Sequence, residues 1–106
     1  MKRLLPGVLL LLSPLVLADE GARVYAKWCG GCHSDSPLSP ATVLLRATRG
    51  DAFALIEERD DLTAEYVTQI VRQGRAGMPS FRRTEISVDA LNALAEFLSN
   101  SKADSQ

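Results

Sequence analysis

Apolar positions along most of the chain fall three and four residues apart, the spacing of a helix that buries one face. Tyr66, Val67, Ile70 and Val71 form the sharpest such stripe. Thr63 just ahead of it is a good N-cap, Glu65 falls in the first turn where the helix dipole favours an anion, and Gly74 is placed to end the helix. These signals predict a helix over 64–73. A second stripe, Val88, Leu91, Leu94, Ala95 and Leu98, follows Ser87 as N-cap and Asp89 in the first turn, and predicts a last helix ending near Asn100. Good helix formers from Gly21 to Lys27 predict a first helix leading straight into Cys29. Between these, Ser39 followed by Pro40 reads as an N-cap with proline at the first helical position, opening a short helix to about Ala47. A second short helical piece fits residues 51–58, although the charged run Glu57, Glu58, Arg59, Asp60, Asp61 reads as a solvated surface. No segment alternates at period two over a useful length. The pattern is therefore all-α, with about three main helices plus short helical pieces. Ser101 to Gln106 is polar and expected to fray.

The N-terminus breaks this pattern. Lys2 and Arg3 precede an apolar run from Leu4 to Leu17 and a small residue, Ala18, in a Val-Leu-Ala context. This is the layout of a secretory signal peptide. A membrane-spanning helix needs about 20 apolar residues, whereas Pro6, Gly7, Ser13 and Pro14 interrupt this shorter run. An uncleaved anchor fits less well, because charge resumes at Asp19 and Glu20 directly after Ala18. The reading is residues 1–18 as signal peptide and residues 19–106 as one exported domain, in the periplasm and without stable membrane insertion after cleavage.

Residues 19–106 are few for a self-sufficient hydrophobic core, and domains of this size usually carry a staple. Cys29 and Cys32 are the only cysteines, and a bridge between them would close almost no loop and stabilise little. Loss of Lys2 and Arg3 from 12 basic residues, against 13 acidic ones, leaves a formal charge of −3. That excludes a nucleic-acid footprint and disfavours anionic lipid surfaces.

Cys29-Gly30-Gly31-Cys32-His33 is the spacing of c-type haem attachment. Two thiols at this separation reach two vinyl groups on neighbouring pyrrole rings to form thioethers, and the following His33 projects beneath the iron as its proximal ligand. Gly30 and Gly31 allow a tight turn against the porphyrin edge. A thioredoxin-like pair requires a βαβ context that is absent and gives His33 no role. A structural zinc ion needs four ligands, and Cys29, Cys32 and His33 are three candidates in one turn. A chance match is disfavoured by the agreement of export signal, helical pattern and short chain. One covalent haem c also supplies the staple that the small core lacks.

His33 is the sole histidine, so the sixth iron position falls to a methionine or stays open. Met1 leaves with the signal peptide, and the remaining methionine is Met78, in Arg75-Ala76-Gly77-Met78-Pro79-Ser80-Phe81. Gly77 and Pro79 favour a loop that presents the thioether; the bland reading is a methionine filling a core gap. With His33 and Met78 as axial ligands the iron is six-coordinate, its potential is raised, and it serves single-electron transfer with no catalytic residues. If Met78 does not bind, the vacant position suggests a five-coordinate sensor or a peroxidase-like protein.

Over residues 19–102 the sequence resembles the class I cytochrome c family. Gly21 and Tyr25 stand at the GxxxY/F spacing of that family's first helix, and Leu94 and Phe97 at the LxxY/F spacing of its last. The resemblance implies that these helices cross, with Gly21 permitting close approach and the aromatics packing at the contact. It also implies that a proline carbonyl receives the second N–H of His33, for which Pro37 and Pro40 compete. The stretch Leu55 to Ile86, with Gly77-Met78-Pro79-Ser80-Phe81 and Arg82-Arg83-Thr84-Glu85-Ile86, is similar to the small cytochrome subunits of p-cresol methylhydroxylase-type flavocytochromes. That likeness implies a redox protein partner, a flavoprotein dehydrogenase subunit or another periplasmic dehydrogenase.

Arg72, Arg75, Arg82 and Arg83 cluster in sequence around Met78. They read either as ordinary surface charge or as a basic rim that orients an acidic partner. Arg46 and Arg49 are candidates for the haem propionates, and Trp28 reads as packing rather than as an electron relay.

Overall fold

The computed structural model describes residue 7 and residues 14–100. Six helices run in chain order: α1 (Pro14–Trp28), α2 (Gly30–His33), α3 (Pro40–Arg49), α4 (Asp51–Ala54), α5 (Ala64–Gln73) and α6 (Val88–Asn100), with one 3₁₀ turn at Ile56–Glu58. Among the described residues the only β pairing is an isolated bridge between Arg75 and Met78. The all-α reading holds. The expected signal peptide, apart from Pro14–Ala18 and Gly7, lies outside the described residues, as do Met1 and the expected frayed end at 101–106. Among the described residues no helix is long and apolar enough to cross a membrane.

The two helices with the clearest sequence signals start where their caps predict. Thr63 Oγ1 accepts from the Tyr66 amide at 3.1 Å, and Ser87 Oγ accepts from the Ala90 amide at 3.1 Å. Helix α5 ends at Gly74, whose φ of 71° lies in the left-handed region and whose amide still donates to Ile70 O at 2.7 Å. Helix α1 differs from expectation: it starts at Pro14, seven residues ahead of Gly21. Proline is suited to a first helical position, and the Leu, Val and Ala residues after it continue the helix without a break.

The core is the contact of α1, α5 and α6. Val24, Tyr25 and Cys29 from the first part of the chain pack with Val67 and Val71 of α5 and with Leu91, Leu94, Ala95 and Leu98 of α6. Leu94 is fully buried, which contributes on the order of 2 kcal/mol. At the crossing of α1 and α6 a Cβ on Gly21 would collide with the backbone carbonyl of Ala93 and would lie 2.5 Å from Phe97 Cβ. Only glycine fits there. The rings of Tyr25 and Phe97 pack beside it, 5.8 Å apart and tilted by 52°. The crossing implied by the family resemblance is therefore present.

The acidic stretch at 57–61 is not wholly the solvated surface expected of it. Arg59 folds back onto Asp61 with two hydrogen bonds of 2.8 and 2.7 Å, and its guanidinium lies 5.1 Å from the Phe53 ring centroid. A planar guanidinium prefers a bidentate carboxylate and an aromatic face to water alone. Asp61 is held below the usual carboxylate range by those hydrogen bonds.

Candidate haem site

Cys29 through His33 continue the path of α1 after a one-residue break. The Cys29 amide donates to Tyr25 O at 2.8 Å, the amides of Cys32 and His33 both donate to Cys29 O, and the Ser34 amide donates to Gly30 O at 2.9 Å. The motif is thus a helical turn. Neither Gly30 nor Gly31 has a positive φ, so the turn itself does not require glycine. A Cβ on Gly31 would meet nothing within 4 Å, and the two glycines instead leave that side of the turn free of side chains.

The two thiols are unbridged and differ in setting: Cys29 is buried in the core and Cys32 is exposed. Burial, with a smaller contribution from Cys32, pushes the Cys29 thiol up to about 11. Burial acts in the opposite direction on His33, lowering its pKa and favouring the neutral imidazole that a metal ligand must be. Its Nδ1 is buried without a hydrogen-bond partner. Neither Pro37 nor Pro40 supplies the expected carbonyl. Pro40 opens α3, and the carbonyl of a first helical residue is directed along that helix.

The strand of chain beyond His33 is pinned from two sides. Tyr25 Oη donates to His33 O at 3.2 Å, and the fully buried Thr42 donates through Oγ1 to Ser34 O at 2.8 Å. Ser39 was expected to cap α3 with its side chain, yet its hydroxyl pairs with that of Ser34 at 2.5 Å. The Tyr25 hydroxyl is pushed up, first by burial and then by the Glu57 carboxylate near it.

Met78 is half-buried and packs against the core cluster that contains Cys29. Its loop is a tight reversal in which Arg75 and Met78 exchange backbone hydrogen bonds of 3.1 and 2.8 Å. Ala76 occupies this reversal at φ 50°, an unfavourable region for a residue with a Cβ. Gly74 governs the approach to it: a Cβ there would lie 2.7 Å from Met78 O and 2.9 Å from Ser80 N. At the far end the Phe81 amide donates to Val71 O at 2.8 Å, and the Phe81 ring meets Trp28 edge-on with centroids 5.8 Å apart. Trp28 thus joins the end of α1 to the methionine loop by packing.

The arginines around this loop do not act alike. Arg72 is turned inward, its Nη1 donating to Phe81 O at 3.2 Å and to Ile86 O at 2.8 Å. Arg75 donates to Tyr66 Oη at 3.1 Å. Arg82 is exposed and lies 3.7 Å from Glu85, and Arg83 is exposed. The expected basic rim of four is reduced by Arg72, because two backbone carbonyls recruit its guanidinium. Arg46 is paired with Asp51 at 3.0 Å.

The donor set fits a covalently attached haem: two free thiols in one turn, followed by a neutral imidazole with an unpartnered buried nitrogen. Among the described residues no three His, Cys, Asp or Glu side chains gather as a metal-binding group. Sequence reasoning missed Thr42, Gly74 as the shaper of the methionine loop, and the inward turn of Arg72. The glycine at the end of α5 was visible as a stop signal, but its clash with Met78 O arises only from the folded loop.

No curated protein and no solved structure matches the chain significantly. The family model described as "Cytochrome C oxidase, cbb3-type, subunit III" matches residues 16–98, and gives no support to the narrower likeness to p-cresol methylhydroxylase-type subunits. With a match across six helices, the first and last crossing at Gly21, and the Cys29–His33 turn between them, the chain belongs to this family of c-type cytochrome domains and is a haem-containing electron carrier.

Proposed function

We propose that the chain is an exported, periplasmic single-electron carrier in which Cys29 and Cys32 hold one haem c by thioethers and His33 and Met78 are the axial ligands of its iron. The observation that carries this reading is the convergence on one core cluster of the buried Cys29 and of Met78, 49 residues later in the chain. Bound haem c supplies an iron that changes by one electron without making or breaking bonds. The protein's own part is to fix and shield. The helical turn and Tyr25 orient His33, burial keeps its imidazole neutral, and Gly74 with Arg75 shapes the loop that offers Met78. Trp28 and Phe81 pack against the same core cluster as Met78.

Residues 1–18, with Lys2, Arg3 and the apolar run to Leu17, support export. We place the electron donor among periplasmic dehydrogenases, flavoproteins included. The exposed Arg82 and Arg83 next to the methionine loop suit an acidic docking face. Converting both to Glu slows reduction by such a partner at low salt; unchanged kinetics remove them from docking.

The ligand assignment is tested by optical spectra of the matured protein. A methionine-to-ferric charge-transfer band with no carbon monoxide uptake by the ferrous form is expected. Absence of the band, with rapid uptake, points instead to an open iron position and a sensor or peroxidase-like role.

A further inference from the structure

From its bonding we infer that Arg72 is a positioning residue for Met78: it latches the methionine loop to α5 and thereby keeps the thioether at the iron. The inference rests on the proposal that Met78 is an axial ligand. By sequence Arg72 is one more surface cation near the loop, but its side chain is half-buried and its Nη1 reaches two backbone carbonyls on the far side of Met78. One belongs to Phe81, three residues beyond Met78. The other belongs to Ile86, which is only 1% exposed and precedes the N-cap of α6.

The arrangement makes a closed loop. At its start, Gly74 caps α5 and Arg75 pairs with Met78; at its end, Phe81 donates its amide to Val71 O and accepts from the side chain of the next residue, Arg72. Two consecutive residues of α5 therefore grip one residue at the far end of the loop. The second bond of Arg72, to Ile86 O at 2.8 Å, ties that grip to the segment leading into α6. A hydrogen bond from a charged donor is stronger than a neutral one, and a buried carbonyl left without a donor is costly. Ala76, at φ 50°, opposes this closure from within. The loop is thus strained at its tip and latched at its base, and the latch is the part that does not belong to the loop's own backbone.

Arg72→Ala removes the latch while preserving helix propensity. The haem-loaded variant is expected to keep a full complement of covalent haem, to lose part of its methionine-to-ferric charge-transfer band, and to take up carbon monoxide in the ferrous form under conditions in which the wild type takes up none, because both charge-assisted hydrogen bonds of the latch are gone. Arg72→Lys, which keeps the charge on a shorter stem, is expected to fall between it and the wild type, and it stands in should Arg72→Ala not fold. Val67→Ala controls for general destabilisation: it creates a cavity in the α5 side of the core and is expected to lower the melting temperature while leaving the band and the absence of carbon monoxide uptake unchanged well below melting. The inference is overturned if Arg72→Ala, or Arg72→Lys in its place, behaves toward carbon monoxide as the wild type does, or if Val67→Ala shows the same uptake. A wild type without the band overturns the ligand assignment itself, and the role of Arg72 with it.

Discussion

His33 is reached by backbone hydrogen bonds that pass with little interruption from α1 through Cys29 to Ser34, whereas Met78 sits in a loop held at its two ends. On the histidine side each bond closes a short, local ring, and Tyr25 and Thr42 add side-chain bonds to the carbonyls of His33 and Ser34. On the methionine side the loop relies on the Arg75–Met78 pair, on Phe81 bonded to Val71, and on Arg72 reaching across. A segment with few anchors opens at a lower free energy than one continuous with a core helix. The difference teaches that the two proposed ligands are not equivalent: the histidine is fixed by the fold, and the methionine is retained by a small set of bonds that single substitutions can address.

The largest break in this comparison is expected from Gly74→Val. It combines a left-handed φ with a Cβ driven against Met78 O and Ser80 N, backbone atoms that cannot yield, and costs about 3 kcal/mol. Its optical spectrum loses the methionine band while haem content stays at the wild-type level; retention of the band shows that the loop is not shaped by Gly74. Next in size, Thr42→Val acts on the histidine side by removing one of the two donors to Ser34 O, which keeps the Ser36 amide at 3.0 Å, at about 1.5 kcal/mol by urea denaturation. Here the methionine band persists, and its loss shows that the two sides are coupled.

Tyr25→Phe removes the hydrogen bond to His33 O and lowers stability by about 1 kcal/mol near neutrality. It also changes the alkaline limb. The Tyr25 pKa is raised in the folded protein, so the unfolded chain loses its phenolic proton first, near pH 10. Stability is complete below that pH and falls as pH rises above it. Denaturation curves of the Phe variant are expected to be flatter above pH 10 than those of the wild type, and parallel curves show that Tyr25 does not set this limb. The smallest effect sharpens the comparison rather than breaking it: Ala76→Gly relieves the left-handed strain of the methionine loop, partly offset by the freedom glycine gains when unfolded, and stabilises by roughly 0.5 kcal/mol. A destabilised variant shows that the Ala76 methyl group makes a contact worth more than the strain.

Much of this was legible in the sequence because it is written in local signals. Thr63, Ser87 and Gly74 punctuate α5 and α6, and Cys29, Cys32 and His33 carry their chemistry in their spacing. Gly21 and Tyr25 were legible through the family resemblance, and their partners Ala93 and Phe97 give the physical reason. Other features depend on which distant atoms meet. Ser39 has the composition of a cap, but a neighbouring hydroxyl outcompetes the helix for its oxygen. Arg72 has the composition of a surface cation, but two carbonyls that come within reach only after α5 and the loop pack together take it inward. The start of α1 at Pro14 was obscured for a different reason: an apolar run that reads as an export signal is also a good helix.

The contact at Gly21 sets an order of events as well as a distance. It joins segments more than 70 residues apart in the chain, and such closures are entropically expensive and come late. Until α6 arrives, the cluster that holds Cys29 lacks Leu91, Leu94 and Leu98; afterwards Cys29 is 7% exposed, and burial pushes its thiol up to about 11. Chemistry at that sulfur therefore belongs to the interval before the end of the chain finds its beginning, and the closing of α6 over α1 is what brings that interval to an end.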